Sequence, residues 1–140
     1  MRVLFDTNVA LDLLLDREPF AADAERLLSL SDLGDLDGVL CADALTTVDY
    51  IAAKSLGTAT TRRLLAELLR ICVIVPVDRA VLESALRLDL PDFEDAVIHE
   101  AARAAGAEVI VTRDTAGFSR GSIPAVEPVE LLSTLAVAGE

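Results

Sequence analysis

Asp92-Phe93-Glu94-Asp95-Ala96-Val97-Ile98-His99-Glu100-Ala101-Ala102, stopped at Gly106 and followed by Glu108-Val109-Ile110-Val111-Thr112-Arg113-Asp114, reads as an acid-headed helix that feeds a buried strand. Ala96, Val97, Ile98, Ala101, Ala102 and Ala105 recur at helical spacing, whereas the run before Thr112 is short, apolar and without that period. Three carboxylates within four residues open the helix. Asp92 can cap free backbone donors of the first turn, and Asp95, three residues on, stands where a capping box puts its acid. Capping alone accounts for these acids until the other acids of the chain are placed.

Working outward, the same alternation repeats. Arg2-Val3-Leu4-Phe5 is a strand ending in Asp6-Thr7-Asn8, and Val9, Leu11, Leu14 and Leu15 predict a helix capped by Thr7 or Asn8 that ends before Pro19. A second helix carries Ala21, Ala24, Leu27, Leu28 and Leu30, residues 31–38 read as a loop, and Gly38-Val39-Leu40-Cys41 is a second strand. A helix from Asp43 to Ser55, with Asp43 as a natural cap, closes at Gly57. Another starts at Thr60 or Thr61 and precedes Cys72-Val73-Ile74-Val75, the clearest strand, stopped by Pro76. Asp78 caps a helix through Val81, Leu82, Ala85 and Leu86; a fifth strand near Ala125-Val126 and a helix with Val129, Leu132, Leu135 and Ala136 complete the order. Near-continuous apolar strands alternating with helices predict an α/β fold, a three-layer α/β/α sandwich on a central parallel sheet of four to five strands. With no repeat, linker or low-complexity segment, residues 1–140 are expected to form one domain.

Of the 140 residues, 53% are hydrophobic and the mean hydropathy is +0.48, which argues for a packed core and against disorder. Acids break every apolar run before it could span a bilayer, Met1-Arg2-Val3 does not read as the start of a signal peptide, and the separated Cys41 and Cys72 read as buried thiols, so a cytoplasmic protein is expected. A net charge of −12 is wrong for a passive nucleic-acid-binding module. It is compatible with an enzyme that meets phosphate through a bound cation. Arg113 and Arg120 could form a local basic patch; Arg62 and Arg63 read as solvated surface charge.

In a parallel sheet, sites form beyond the carboxyl ends of the strands. Asp6 follows the first strand and Asp114 the fourth, and the acidic helix can bring Asp95, with Asp92 near it, to the same edge. Two carboxylates about 4 Å apart repel by roughly 4 kcal/mol at an effective dielectric near 20. A converging cluster therefore takes up protons or a cation, and oxygen-only ligands suit Mg²⁺ or Mn²⁺ rather than zinc. Such a centre activates water and stabilises charge on a phosphoryl group, which fits phosphodiester hydrolysis. Asp6, Asp95 and Asp114 are the candidate metal ligands, with Asp92 as an outer or additional one. Thr7, Asn8, Thr112 and Arg113 are candidates to bind phosphate or order water, against capping and turn roles that suit Thr7 at least as well. His99, one turn after Asp95, is within reach of the site, although a lone helical histidine is more commonly a packing residue.

Phe5-Asp6-Thr7-Asn8-Val9, then Asp92-Phe93-Glu94-Asp95-Ala96, then Val111-Thr112-Arg113-Asp114 followed by Phe118 resemble the successive signatures of PIN domains, in particular the VapC-type toxins of toxin–antitoxin systems. The resemblance spans essentially the whole chain. It implies a Mg²⁺- or Mn²⁺-dependent ribonuclease of single-stranded RNA, a homodimer, and inhibition by a cognate antitoxin. One departure stands out: the family commonly carries an acid on the helix after the second strand, and matching through Tyr50 puts Thr47 there, with Asp49 displaced by two residues, about 200° round a helix. A shifted register would bring in Asp49 or Asp43 instead. Loss of that acid favours a second reading, a catalytically weakened scaffold that acts by binding a partner. A third, an aspartate-nucleophile phosphatase, wants an acid where Asn8 stands and a lysine near the site, whereas Lys54, the only lysine, falls in a helix.

Overall fold

The computed structural model describes residues 1–139 and orders five parallel strands as β3-β2-β1-β4-β5: β1 Arg2–Phe5, β2 Asp37–Cys41, β3 Val73–Val75, β4 Val109–Val111 and β5 Ala125–Val126. The helices are α1 Thr7–Leu14, α2 Ala21–Leu33, α3 Ala42–Leu56, α4 Thr58–Ile71, α5 Arg79–Arg87, α6 Phe93–Ala104 and α7 Pro128–Ala138. The three-layer α/β/α architecture is the expected one.

The chain starts in the middle of the sheet and steps outward twice, from β1 to β2 to β3, before returning across β1 to β4. Parallel crossovers are right-handed, so reversing the direction of travel moves the connecting helices to the opposite face. Strand residues divide accordingly. Val3, Phe5, Leu40 and Val111 pack with α1, α2, α3 and α4 residues such as Val9, Leu27, Val48 and Leu68. Leu4, Val39 and Ile110 pack under α5 and α6 through Val81, Ala85, Val97 and Ala101. The strand order reverses between β1 and β4, and there neither crossover covers the carboxyl ends.

Local details differ from the sequence expectations where side chains compete for backbone donors. Asp6, not Thr7 or Asn8, caps α1, because its carboxylate accepts the Thr7 N–H at 2.8 Å. Cys41 rather than Asp43 holds the cap position of α3, which leaves Asp43 in the first turn. The segment predicted as a loop from residue 31 is still helical to Leu33, with Gly34 in the left-handed conformation at its end. Strand β3 is at the sheet edge with Val73 exposed, and Cys41 and Cys72 are buried and unbonded. Among the described residues no helix is long and apolar enough to cross a membrane.

Candidate active site

Asp6 leaves the end of β1 as its own backbone N–H bonds the Val111 carbonyl of β4 at 2.9 Å, so the two strand ends are tied together where the candidate acids begin. Its side chain is 7% exposed, with Oδ1 on the Thr7 N–H and Oδ2 accepting from the Thr112 hydroxyl at 2.8 Å. Thr112, fully buried just past β4, also accepts from Asn8 Nδ2 at 3.1 Å and from the Asp114 N–H at 3.0 Å. One donor and two lone pairs are the whole capacity of a hydroxyl, and all are used. Asn8 Oδ1 in turn accepts the Arg113 N–H at 3.3 Å. Asn8 and Thr112 thus hold the loop that carries Asp114 against the Asp6 carboxylate.

Helix α6 delivers the other acids from the opposite layer. Asp92 caps it, accepting the Asp95 N–H at 3.0 Å, and Asp95 stands half-buried in the first turn. Gly117 lies against both its carboxylate and that of Asp114: a Cβ placed there would stand 2.8 Å from Asp95 Oδ2 and 3.0 Å from Asp114 Oδ2, so a side chain at this position would push the two carboxylates aside. Burial raises the pKa of Asp6 despite the hydrogen bonds from Thr112 and Thr7, with Asp114 and Asp92 adding repulsion. Asp95 is pushed up to about 6 by burial and then by Asp6, Asp92, Asp114 and Glu94. Glu94 is raised by burial and by Asp92, Asp6 and Asp43. Carboxylates distant in the chain therefore share one electrostatic neighbourhood.

Glu94 is an addition that sequence reasoning did not assign to this neighbourhood, although it sat in the quoted acidic run; Asp43 was open only as an alternative to Thr47 and Asp49. Glu94 and Asp43 line a cleft of about 260 Å³ together with Thr46, Thr47 and Phe93. Thr47 donates to the Asp43 carbonyl at 3.4 Å one helical turn back, so these two positions share the cleft side of α3. Asp49 is not among the residues lining that cleft; its Oδ1 is buried without a hydrogen-bond partner. Thr7 Oγ1 is likewise buried and unpartnered.

Two predicted contributors are engaged elsewhere. The Arg113 guanidinium makes a two-pronged ion pair with Asp12, at 2.6 and 2.9 Å, and lies over the Phe20 ring, so it forms no basic patch with Arg120, which pairs with Asp89. His99 is 1% exposed and accepts the Ile123 N–H on Nε2 at 3.2 Å, which puts its proton on Nδ1, facing Glu100 Oε2 at 2.8 Å. It packs beneath Gly121 as a structural post rather than reaching the acids. Lys54 lies over Tyr50, 4.1 Å from the ring centre, which gives a phosphatase reading no lysine at the acids.

The donor set is oxygen only, which fits a hard divalent cation and not zinc. Among the described residues no three acids close on one point at ligand distance.

The sequence matches the family model described as the PIN domain over residues 2–116. No curated protein matches it. Among solved structures, the chain superposes on a toxin–antitoxin complex from Klebsiella pneumoniae with TM-score 0.68 and 23% identity, covering 90% of this chain and 97% of that one. The VapBC2 complex of Rickettsia felis bound to a promoter DNA fragment gives 0.68 at 15% identity, with coverages of 91% and 98%. VapC20 of Mycobacterium tuberculosis, a toxin that cleaves the sarcin-ricin loop, gives 0.62 at 16%, with 77% and 86%. At these identities the likeness is one of fold.

Proposed function

Because the chain belongs to the PIN-domain family, we propose that it is a metal-dependent endoribonuclease acting on single-stranded RNA, the toxin half of a toxin–antitoxin pair. The observation that supports this reading is the shared electrostatic neighbourhood of Asp6, Asp95 and Asp114, which come from three places in the chain to the strand-order reversal. Those three carboxylates would hold a Mg²⁺ or Mn²⁺ ion, with Asp92 and Glu94 beside them. When bound, the ion supplies a polarised water and positive charge for a phosphodiester oxygen.

The residues of the chain have separable tasks in that reaction. Asp6 offers a preset carboxylate, because both of its oxygens are already oriented by hydrogen bonds from Thr7 and Thr112. Asp95, pushed up to about 6 by burial and by the surrounding carboxylates, becomes favourable in its ionised form once an opposite charge is present. Asp114 is held by the turn at Gly117, whose N–H approaches its Oδ1 at 3.4 Å. The Klebsiella structure is a toxin–antitoxin complex, which supports a protein inhibitor here; a homodimer as the functional unit is part of the same proposal.

One observation favours a second reading, the scaffold of weakened activity. Helix α3 presents the hydroxyl of Thr47 at the cleft, and its own acid there is Asp43. Incubating a labelled single-stranded RNA with the protein and Mg²⁺ or Mn²⁺ separates the two. Internal cleavage that needs the ion and is lost in Asp6→Ala supports the nuclease. Absence of cleavage with intact metal binding supports the scaffold, and cleavage that survives Asp6→Ala would remove the site.

A further inference from the structure

A second cavity, of about 460 Å³, opens at the same edge of the sheet on the side of α2 and α7, walled by Pro19, Phe20, Asp23, Arg113, Glu127 and Pro128. Its lining adjoins the acids through the backbone. Arg113 stands between Thr112 and Asp114, and Glu127 follows Val126, whose carbonyl accepts the Thr112 N–H at 2.9 Å.

Three features define what this cavity can take. Its apolar wall is made by two prolines and the Phe20 ring, with the Arg113 guanidinium stacked 4.0 Å from the ring centre. Its cation is already matched, since Asp12, 1% exposed, holds Arg113 through two short bonds. Its carboxylates are not: among the described residues neither Asp23 nor Glu127 has a side-chain hydrogen bond or ion pair. A phosphate is disfavoured by two free carboxylates and a neutralised arginine. A flat, neutral group bearing adjacent N–H donors on one edge is favoured, because an ionised carboxylate only accepts and does so in pairs.

Among the bases of RNA, guanine alone places two N–H donors side by side, N1–H and N2–H, toward a carboxylate. Adenine and cytosine each set an amino group beside an acceptor, and uracil flanks its single N–H with carbonyls. Single-stranded RNA is read by this means, with an unstacked base laid on aromatic or guanidinium planes and hydrogen-bonded along its Watson–Crick edge. We propose that the cavity is a specificity subsite for a guanine base of the RNA strand, at a fixed distance from the scissile bond, with Glu127 and Asp23 as its acceptors. This rests on the ribonuclease reading of the neighbouring acids.

The test has two arms. In the first, wild type, Glu127→Gln and Asp23→Asn cut a random-sequence single-stranded RNA pool with Mn²⁺, and the cut ends are sequenced. The wild type is expected to enrich guanine at one position relative to the cut, by about tenfold over the pool, and at least one variant to lose most of that enrichment. The distribution of cut sites reports this whatever the total rate. Cleavage without a positional guanine preference, or a preference that both variants keep, overturns the subsite and leaves the nuclease standing. In the second arm, guanosine, adenosine and cytidine are titrated against wild type, Asp6→Ala and Glu127→Gln by NMR. Saturable guanosine binding retained in Asp6→Ala and weakened several-fold in Glu127→Gln supports the subsite even if no RNA is cut, an outcome that would fell the nuclease reading instead. Equal behaviour of the three nucleosides overturns the subsite.

Discussion

The Thr112 hydroxyl donates to Asp6 Oδ2 at 2.8 Å across the join between β4 and β1, and its two lone pairs receive Asn8 Nδ2 and the Asp114 N–H. One buried oxygen thereby orients the most buried candidate acid and anchors the backbone of another. Thr112→Val keeps the shape and leaves those partners without a bond, at about 1–3 kcal/mol in urea unfolding. Thr112→Ser should recover most of it, since only a methyl group is lost. Equal stability of Thr112→Val and wild type would show that the network does not hold Asp6.

Divalent ions should stabilise the protein through the acids. At a hundredfold excess over its Kd, an ion that binds only the folded chain adds about 2.7 kcal/mol. Mn²⁺ or Mg²⁺ is therefore expected to raise the Tm of the wild type and to do much less for Asp95→Asn. Equal shifts would take Asp95 out of the metal shell.

Without metal, pH should act with a definite sign. The Asp95 carboxyl titrates near 6 in the folded chain and lower when unfolded, so between those values the folded chain holds the extra proton. The contribution is fully present below the unfolded pKa and is lost as pH rises through about 6. Calorimetry of metal-free protein should show Tm falling from pH 5 to pH 7, and Asp95→Asn should flatten the fall. Asp6 and Glu94, also raised, leave a residual slope. An unchanged slope in Asp95→Asn would assign the effect to other groups.

Asp12 is nearly inaccessible and depends on Arg113 for its main charge partner, with Arg17 more distant at 3.7 Å. Arg113→Met strands a buried carboxylate, a change that typically costs about 3–5 kcal/mol; Arg17 places the expected loss at the lower end. Replacing both partners, as Asp12→Leu with Arg113→Met, should cost less than Arg113→Met alone. A larger loss in the double variant would contradict a desolvation origin.

His99 and Gly121 form a third joint, between α6 and the loop leading to β5. A Cβ on Gly121 would come within 2.5 Å of the imidazole, so Gly121→Ala should displace the ring and break its bond to the Ile123 N–H. A loss of about 1–3 kcal/mol is expected, as for other overpacked sites. Wild-type stability in Gly121→Ala would show that the ring has room to move.

Much of this architecture was readable from local pattern. The strand ends at Asp6 and Asp114 and the Asp92 cap of α6 follow from apolar runs broken by acids, because β-branched runs and capping are short-range effects. The side chains that link them were not. Arg113 looked like a phosphate ligand because nothing local revealed that Asp12, on α1 and 101 residues earlier in the chain, faces it. His99 had no visible partner because Ile123 lies beyond the intervening strand. On α3, a two-residue ambiguity in register decided which side chain met the cleft, and packing put Thr47 and Asp43 there.

The sequence by itself determined an alternating α/β chain with acids at strand ends and a helix start, because periodicity and caps act over a few residues. Only the tertiary structure decided which acids meet. Their meeting depends on β1 and β4 becoming neighbours when the chain reverses direction, a pairing made across a hundred residues by strand order and crossover handedness rather than by local preference.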